Sequence, residues 1–394
     1  VACLAKGELG TDPEIEIRSF STLIPEMRKL RDWVLEADCR HVAMESTGIY
    51  WQPIYEMLEP CFEGEINILV VNARHMKNVP GRKTDMRDAQ WIATLLRAGL
   101  LKGSFIPDKA FRELRHLTRY RKSIVHDITA QKNRIDKFLQ SSGFRFTAFL
   151  SDAFGASGRN IIRHLIQNSS IDRAALDKCL KTQTRKRIDQ ILVALNGSLS
   201  IHQRSFLAMA FGHLETLEAH RKAIEDAIAN EILKHSEALN LLCSIPGIDV
   251  TAAAAIIAEI GTDMSAFPDS QHICSWAGLS PGSNESAGKR KSAHINKGNP
   301  YLKSMLCEIG WVISGKGTLY LSGGYWRIKQ RKGAKRATIA LARKLLTLIY
   351  TMLKTGVPYN EDCFEQRRKR CERKRAHRMV NELQKLGYMV VPPS

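Results

Sequence analysis

The sequence has no Cys-x-x-Cys pair, although it holds nine cysteines: Cys3, Cys39, Cys61, Cys179, Cys243, Cys274, Cys307, Cys363 and Cys371. An odd, scattered set supplies neither the paired ligands of a zinc ribbon nor an even disulfide framework. The cysteines therefore read as reduced thiols of a cytoplasmic protein. No apolar run approaches the roughly eighteen residues of a membrane span, and no charged-then-apolar leader opens the chain, so no membrane partner is expected. Acid is in short supply: 40 Asp and Glu stand against 59 Lys and Arg in 394 residues, a net charge of +19 with a pI near 9.6. A chain this basic is expected to face nucleic acid, because each Lys or Arg set against a phosphate releases a condensed counterion. The first residue is Val, not Met, and residues upstream of it are expected to be missing.

Hydrophobic residues make up 44%, enough for a globular protein, and the length suits two or three domains. Alternating apolar residues predict strands over Val1–Ala5, Ile15–Phe20, His41–Met44 and Ile66–Val71. Helical spacing falls on Leu23–Glu36, Trp51–Leu58 and Asp85–Ala98, the last with Trp91, Ile92, Leu95 and Leu96 on its apolar side. That order predicts an α/β layer with a mixed sheet. From about Asp108 the pattern turns helical. One apolar stripe runs through Leu114, Leu117, Ile124, Ile128, Ile135 and Phe138, interrupted by Arg121 and Gln131; a second runs from Leu207 through Phe211, Leu214, Leu217, Ile224 and Ile228 to Ile232. Two such helices around an insert at 151–200 fit either an antiparallel coiled-coil hairpin or dimerisation arm, or a bundle that buries both stripes in one chain. Residues 239–355 are helical again, broken by a Gly/Ser/Lys-rich loop at Gly278–Pro300. In the tail, Arg367–Arg378 places eight Lys or Arg in twelve positions, which reads as a flexible basic arm touching phosphate.

Three acids stand at structural junctions. Glu45 ends the strand His41–Met44, and Asp85 and Asp88 open a helix at i, i+3, on one face of its first turn. Acids so placed can converge above a sheet edge and hold Mg²⁺, which takes oxygen from a few carboxylates, phosphate and water; they also suit a helix N-terminus without any metal. Further on, Ile245-Pro246-Gly247-Ile248 between two helical segments predicts a helix–hairpin–helix, with Gly247 at the tip and the following backbone N–H groups free to hold a phosphate; a plain helix corner is the alternative. In the loop, Lys289, Arg290, Lys291 and Lys297 offer charge to a phosphate backbone, and a serine beside them is placed either to bind phosphate or to attack phosphorus. His294 is a candidate base or a structural histidine.

Taken together, three motifs resemble one family. Glu45-Ser46-Thr47-Gly48-Ile49-Tyr50 is similar to the E-x-T-G-x-Y of the DEDD transposases of the insertion-sequence one-ten family, and Lys83-Thr84-Asp85-Met86-Arg87-Asp88-Ala89 to their K-T-D-x-x-D-A. Ser286-Ala287-Gly288-Lys289, followed by Gly298, Leu302 and Lys303, resembles their S-x-G-K and G-x-x-x-L-[RK] elements. The resemblance spans nearly the whole chain. It implies an α/β + α architecture: an RNase H-like (RuvC-like) domain over 1–106, a coiled-coil region over 107–236, a transposase domain with helix–hairpin–helix and serine loop over 237–358, and a basic tail over 359–394. It also implies a recombinase acting on donor and target DNA under the direction of a structured bridge RNA, in a prokaryotic, nucleoid-associated setting. Glu45, Asp85 and Asp88 become ligands of Mg²⁺ or Mn²⁺, and Ser286 becomes the nucleophile of a phosphoserine link, with Ser283 and Ser292 as fallback serines. One departure stands out. The family's first Asp lies on an opening strand in a G-[IV]-D-x-x-K setting that does not occur here, and Val1–Ala5 resembles the strand after it; Glu8, Asp12 and Glu14 lie in the wrong context to replace that Asp. The competing readings are a metal-only junction-resolving nuclease, in which the serine loop grips DNA, and a catalytically inactive nucleic-acid binder. The stripes suggest a dimer or tetramer.

Overall fold

A computed structural model describes residues 1–8, 10–61, 67–72, 85–282, 284–286, 289–292, 294–317 and 319–389. The chain divides into two compact units, Val1–Ile106 and Pro107–Ser394.

In the first unit, β1 (Ala2–Lys6) and β2 (Glu14–Arg18) form an antiparallel pair with Ala2 opposite Arg18 and Lys6 opposite Glu14. Strand β3 (His41–Glu45) runs parallel to β4 (Asn67–Val71). A parallel pair needs a crossover, and α2 (Trp51–Leu58) lies in it. Helix α1 (Ile24–Glu36) carries Pro25 in its first turn, where the missing N–H costs nothing. Its Met27, Trp33 and Val34 are buried. Trp33 and Val34 meet Leu4 and Leu58 in the unit's core, with Leu30 packed against them. Phe20 tilts onto Trp33 at 5.7 Å, and the indole N–H reaches Glu16 at 3.3 Å. Helix α3 (Asp85–Arg97) packs on both β1 and β3. The predicted mixed sheet is instead two separate pairs among the described residues: β1 bonds only to β2, and β3 only to β4. The remaining edges of β1 and β3 are bridged by no described strand, and α3 packs against both strands.

The second unit is helical. Helices α4 (Lys109–Ser141) and α9 (Ile201–Ile232) lie antiparallel. Phe138 meets Phe206 at 4.6 Å, Gln131 donates to the Ala210 carbonyl at 2.7 Å, and Arg121 donates to Glu225 at 2.9 Å. The two long helices therefore pack on each other within one chain, and the polar interruptions of the first stripe are places where one helix is tied to the other. At the far end, α5 (Ala156–Gln167), α6 (Arg173–Cys179), α7 (Thr182–Arg185) and α8 (Ile188–Ala194) build a cap. Ile161, Ile162, Leu165, Leu176 and Ile191 there join Ile135, Leu139 and Leu207 in a continuous core. Each such buried aliphatic side chain contributes roughly 1.5–3 kcal/mol.

The chain then forms α10 (Ser236–Cys243), α11 (Val250–Ile260), α12 (Ser270–Trp276), the β5–β6 hairpin (Asn284–Ser286, Lys289–Ser292), α13 (Pro300–Ser314), α14 (Tyr320–Lys332) and α15 (Ala334–Thr355). Helix α15 is the hub, packed by α10, α12, α13 and α14 through buried Ala337, Leu341, Ala342, Leu345, Leu346 and Ile349. The tail differs from the flexible arm expected of it. Residues Glu361–Lys385 form helix α16, started by the Asn360 side chain accepting the Asp362 N–H at 2.8 Å. Arg, Lys, Glu and Gln are good helix formers, and the Glu361 carboxylate pins the first turn by accepting the Tyr320 N–H at 2.6 Å. Among the described residues, no helix is long and apolar enough to cross a membrane.

Candidate functional site

Glu45 is the last residue of β3, opposite Val71 of β4. Asp88 stands in the first turn of α3, one turn beyond Asp85, whose side chain lies outside the described residues. Glu45 and Asp88 are both half-buried and line one cleft of about 380 Å³, walled by β1, β3, α1, α2 and α3. Cys3, Leu4, Trp33 and Ile92 supply its apolar lining. The strand end and the helix start thus bring two of the three singled-out acids to one cavity. Among the described residues, no group of three or more His, Cys, Asp or Glu is close enough to hold a metal ion. The Glu8 backbone carbonyl accepts from the Arg97 guanidinium, as does that of Thr11 at 2.9 Å. Lys83 and Thr84 of the second motif lie outside the described residues.

In the second unit, α10 and α11 flank a tight turn in which Gly247 takes φ +104°. A Cβ there would also come within 3.0 Å of the Ile313 side chain on α13, a tight contact, and the positive φ favours glycine whatever the space. Ile245 and Ile248 are buried on either side. The N–H groups that open α11 are partly taken already, because Asp249 accepts the Ala252 N–H at 2.7 Å.

The serine loop has its described limbs tied to each other by backbone contacts. Its limbs cross where Gly298 lies on Gly278: a Cβ on Gly298 would sit 2.2 Å from the Gly278 nitrogen and 2.5 Å from the Trp276 carbonyl oxygen. From that crossing they zip upward. Asn299 N–H donates to Trp276, Asn296 N–H to Ser280 and Gly282 N–H to His294, at 3.2, 3.2 and 2.9 Å. The zip continues into β5 and β6, where Ser286 stands opposite Lys289 and Glu285 opposite Arg290. Ser286 is therefore held at the end of a hairpin strand beside a lysine. The side chains of Ser286, Lys289, Arg290, Lys291 and Ser292, and all of Ser283, lie outside the described residues. Lys297 and His294 are exposed below the hairpin.

Sequence reasoning missed the network at the foot of this loop. Glu259, 3% exposed near the end of α11, accepts two hydrogen bonds from Arg119 at 2.8 and 2.9 Å. It also pairs with Arg115 at 3.2 Å and accepts from the Asn299 side-chain amide at 2.6 Å. Asn299 meanwhile caps α13, its side-chain oxygen accepting from Tyr301 and Leu302 N–H at 3.0 and 3.1 Å. Arg119 also lies 4.2 Å over the Tyr301 ring. Burial pulls the Arg115 guanidinium down to about 10 against the opposing pull of Glu259. The signal was present: a lone acid in the apolar run Val250–Ile260 has to be paired once buried.

Comparison with known proteins is consistent along the chain. Residues 11–143 match the family model of the DEDD IS110-type transposases, and residues 239–325 match that of the transposase IS116/IS110/IS902 family; together they cover more than half of the chain. The insertion element IS110 uncharacterized 43.6 kDa protein of Streptomyces coelicolor is 25% identical over 311 residues, 71% of this chain and 73% of that protein. The transposase for insertion sequence element IS1111A of Coxiella burnetii is 26% identical over 297 residues, 72% of this chain and 70% of its own. The pilin gene-inverting protein of Moraxella bovis is 30% identical over 129 residues, 32% of this chain and 40% of that protein. With both matches in chain order and each enclosing motifs recognised from the residues, this chain belongs to the IS110 family of insertion-sequence transposases.

Proposed function

We propose that the chain recombines DNA through a phosphoserine intermediate at Ser286, with a divalent metal held by Glu45, Asp85 and Asp88, under the direction of a structured RNA that pairs with donor and target DNA. The observation that carries the serine half is the hairpin itself. A serine needed only as surface would not require a glycine-on-glycine crossing and a backbone zip to hold it opposite Lys289. In the step proposed, the Ser286 Oγ–P bond forms as one bridging P–O bond of the DNA breaks. The serine proton is given up and the departing deoxyribose oxygen takes one. Rejoining reverses the exchange with a deoxyribose hydroxyl of the second strand, so no water or external energy is consumed. The flanking cations Lys289, Arg290 and Lys291 stabilise the charge on the non-bridging oxygens.

The acids fit a hard cation: two carboxylates share one cleft, and Mg²⁺ is commonly held by one or two carboxylates together with phosphate and water. Bound there, Mg²⁺ or Mn²⁺ would neutralise phosphate charge. An RNase H-like arrangement of the first unit is supported by its antiparallel pair, its parallel pair and the helix across them. Sequence choice is assigned to RNA pairing, with the protein holding backbone and shape, as in other guided systems. The test is a recombination assay with paired donor and target plasmids, cognate RNA and metal. Exchange that needs all of them and is lost in Ser286→Ala supports the proposal. Metal-dependent cutting that survives Ser286→Ala would replace it with a metal nuclease, and binding without cutting would leave only a nucleic-acid binder.

A further inference from the structure

At the foot of the serine hairpin the second unit holds a cavity of about 1030 Å³ between the loop limbs and the α14–α15 corner. Its walls carry Arg331, Lys332, Lys335, Arg336 and Arg343, with His294 on the loop side. Among the described residues none of the five Lys and Arg enters a salt bridge, and four of them are exposed. The rest of the lining is Leu279, Pro281, Ile295, Ile328, Ile339 and Ala340. Among the described residues this lining includes no carboxylate, amide, hydroxyl or six-membered aromatic ring.

The placement of these cations is informative. Arg331 and Lys332 end α14, where the helix dipole favours positive charge, but Lys335 and Arg336 stand in the first turn of α15, where it does not. Gly333, at φ +82°, makes the corner that brings both pairs together. Lys335, Arg336, Ile339, Ala340 and Arg343 recur at helical spacing, so one face of α15 looks into the groove. From Lys335 to Arg343 is about 12 Å along the axis, close to the span of three or four phosphates on a duplex strand. A cation pair set against the helix dipole, with no carboxylate paired to it among the described residues, is better explained by an anion between its members than by folding.

We infer that this groove binds the sugar-phosphate backbone of duplex DNA and leads it to the hairpin that carries Ser286. The inference rests on the reading that the chain works on DNA, and it names the surface. Single-stranded nucleic acid is disfavoured because the described lining offers no Phe, Tyr or Trp ring on which bases stack. Duplex RNA is disfavoured because the described lining has no side-chain amide, hydroxyl or carboxylate to meet the 2′-hydroxyls.

The experiment is fluorescence anisotropy of the full chain with a random-sequence DNA duplex over a salt series. Each phosphate contact adds a slope of about −0.9 and roughly eightfold in affinity at 0.1 M salt. Lys335→Ala/Arg336→Ala is expected to weaken binding about sixtyfold, alike for all sequences, and to flatten the slope by about 2. Lys181→Ala/Lys186→Ala removes the same charge from the helical cap and serves as the control, with a change of no more than a few fold. Arg331→Glu/Lys332→Glu is the second groove variant, expected to lose at least as much as the first. Equal losses in groove and control variants would overturn the assignment, as would a groove effect confined to single strands or duplex RNA. The groove variants are read by duplex binding alone, without RNA, metal or strand exchange, so loss of the serine chemistry leaves this test standing and the two proposals fail separately.

Discussion

Replacing Glu259 by Leu should unsettle the second unit more than its single position suggests. The carboxylate is 3% exposed and faces Arg115 and Arg119 together. Their side chains are 16% and 34% exposed, so Arg119 can rehydrate in part while Arg115 has little access to water. Removing one member of a buried ion-pair group costs about 3–5 kcal/mol, because the partners stay behind uncompensated. The lost Asn299 bond, made to a charged group, falls within that range. For a domain of this size each kcal/mol shifts the melting point by roughly 2–4 °C, so Glu259→Leu should lower the transition by about 6–20 °C. Differential scanning calorimetry on the full chain reads it directly. Glu259→Gln, which retains hydrogen bonds but not charge, should fall between Leu and the parent. In a cycle with Arg119→Leu, the double variant should lose clearly less than the sum of the singles. A Glu259→Leu protein melting within about 1 °C of the parent would refute the claim that this network supports the foot of the serine loop.

Three further outcomes follow from the geometry. Gly298→Ala forces a methyl group against the Gly278 backbone, and such overpacking should cost about 1–3 kcal/mol, read by denaturant titration; unchanged stability would mean that the crossing is looser than described. Asp249→Ala removes the α11 cap and should destabilise by about 1 kcal/mol on the same titration. Glu45→Ala and Asp88→Ala should each weaken Mn²⁺ binding, followed by electron paramagnetic resonance without DNA, by at least tenfold; retention of full binding in both would remove the metal from the shared cleft.

Much of the first unit was legible in the sequence. The strands of 1–71 and helix α3 lie within one or two residues of their expected ends, since period-2 and period-3.6 patterns are clear there. That Glu45 and Asp88 line one cleft was legible for the same reason: a strand end and a helix start are positions, and positions follow from elements. The pairing of the two long stripes was left open, because periodicity states that a face is buried but not against what. Arg121 and Gln131, read only as interruptions, turned out to bond Glu225 and the Ala210 carbonyl across the helix pair. The serine hairpin was not legible. Asn284–Ser286 and Lys289–Ser292 have little strand propensity, and what zips them is a backbone crossing of Gly278 and Gly298, twenty residues apart. The groove cations were overlooked because Arg331, Lys332, Lys335 and Arg336 form an ordinary surface run until Gly333 bends it toward the loop.

The central claim is that Ser286 becomes covalently joined to DNA, and the most direct measurement is a denaturing gel of the chain with cognate RNA, labelled donor and target DNA and Mg²⁺, followed by peptide mapping of any slow-migrating species. The account predicts an adduct whose modified peptide carries a nucleotide on Ser286, absent in Ser286→Ala and restored by neither Ser283 nor Ser292. Recombination proceeding with no adduct, or an adduct that persists in Ser286→Ala, would contradict it.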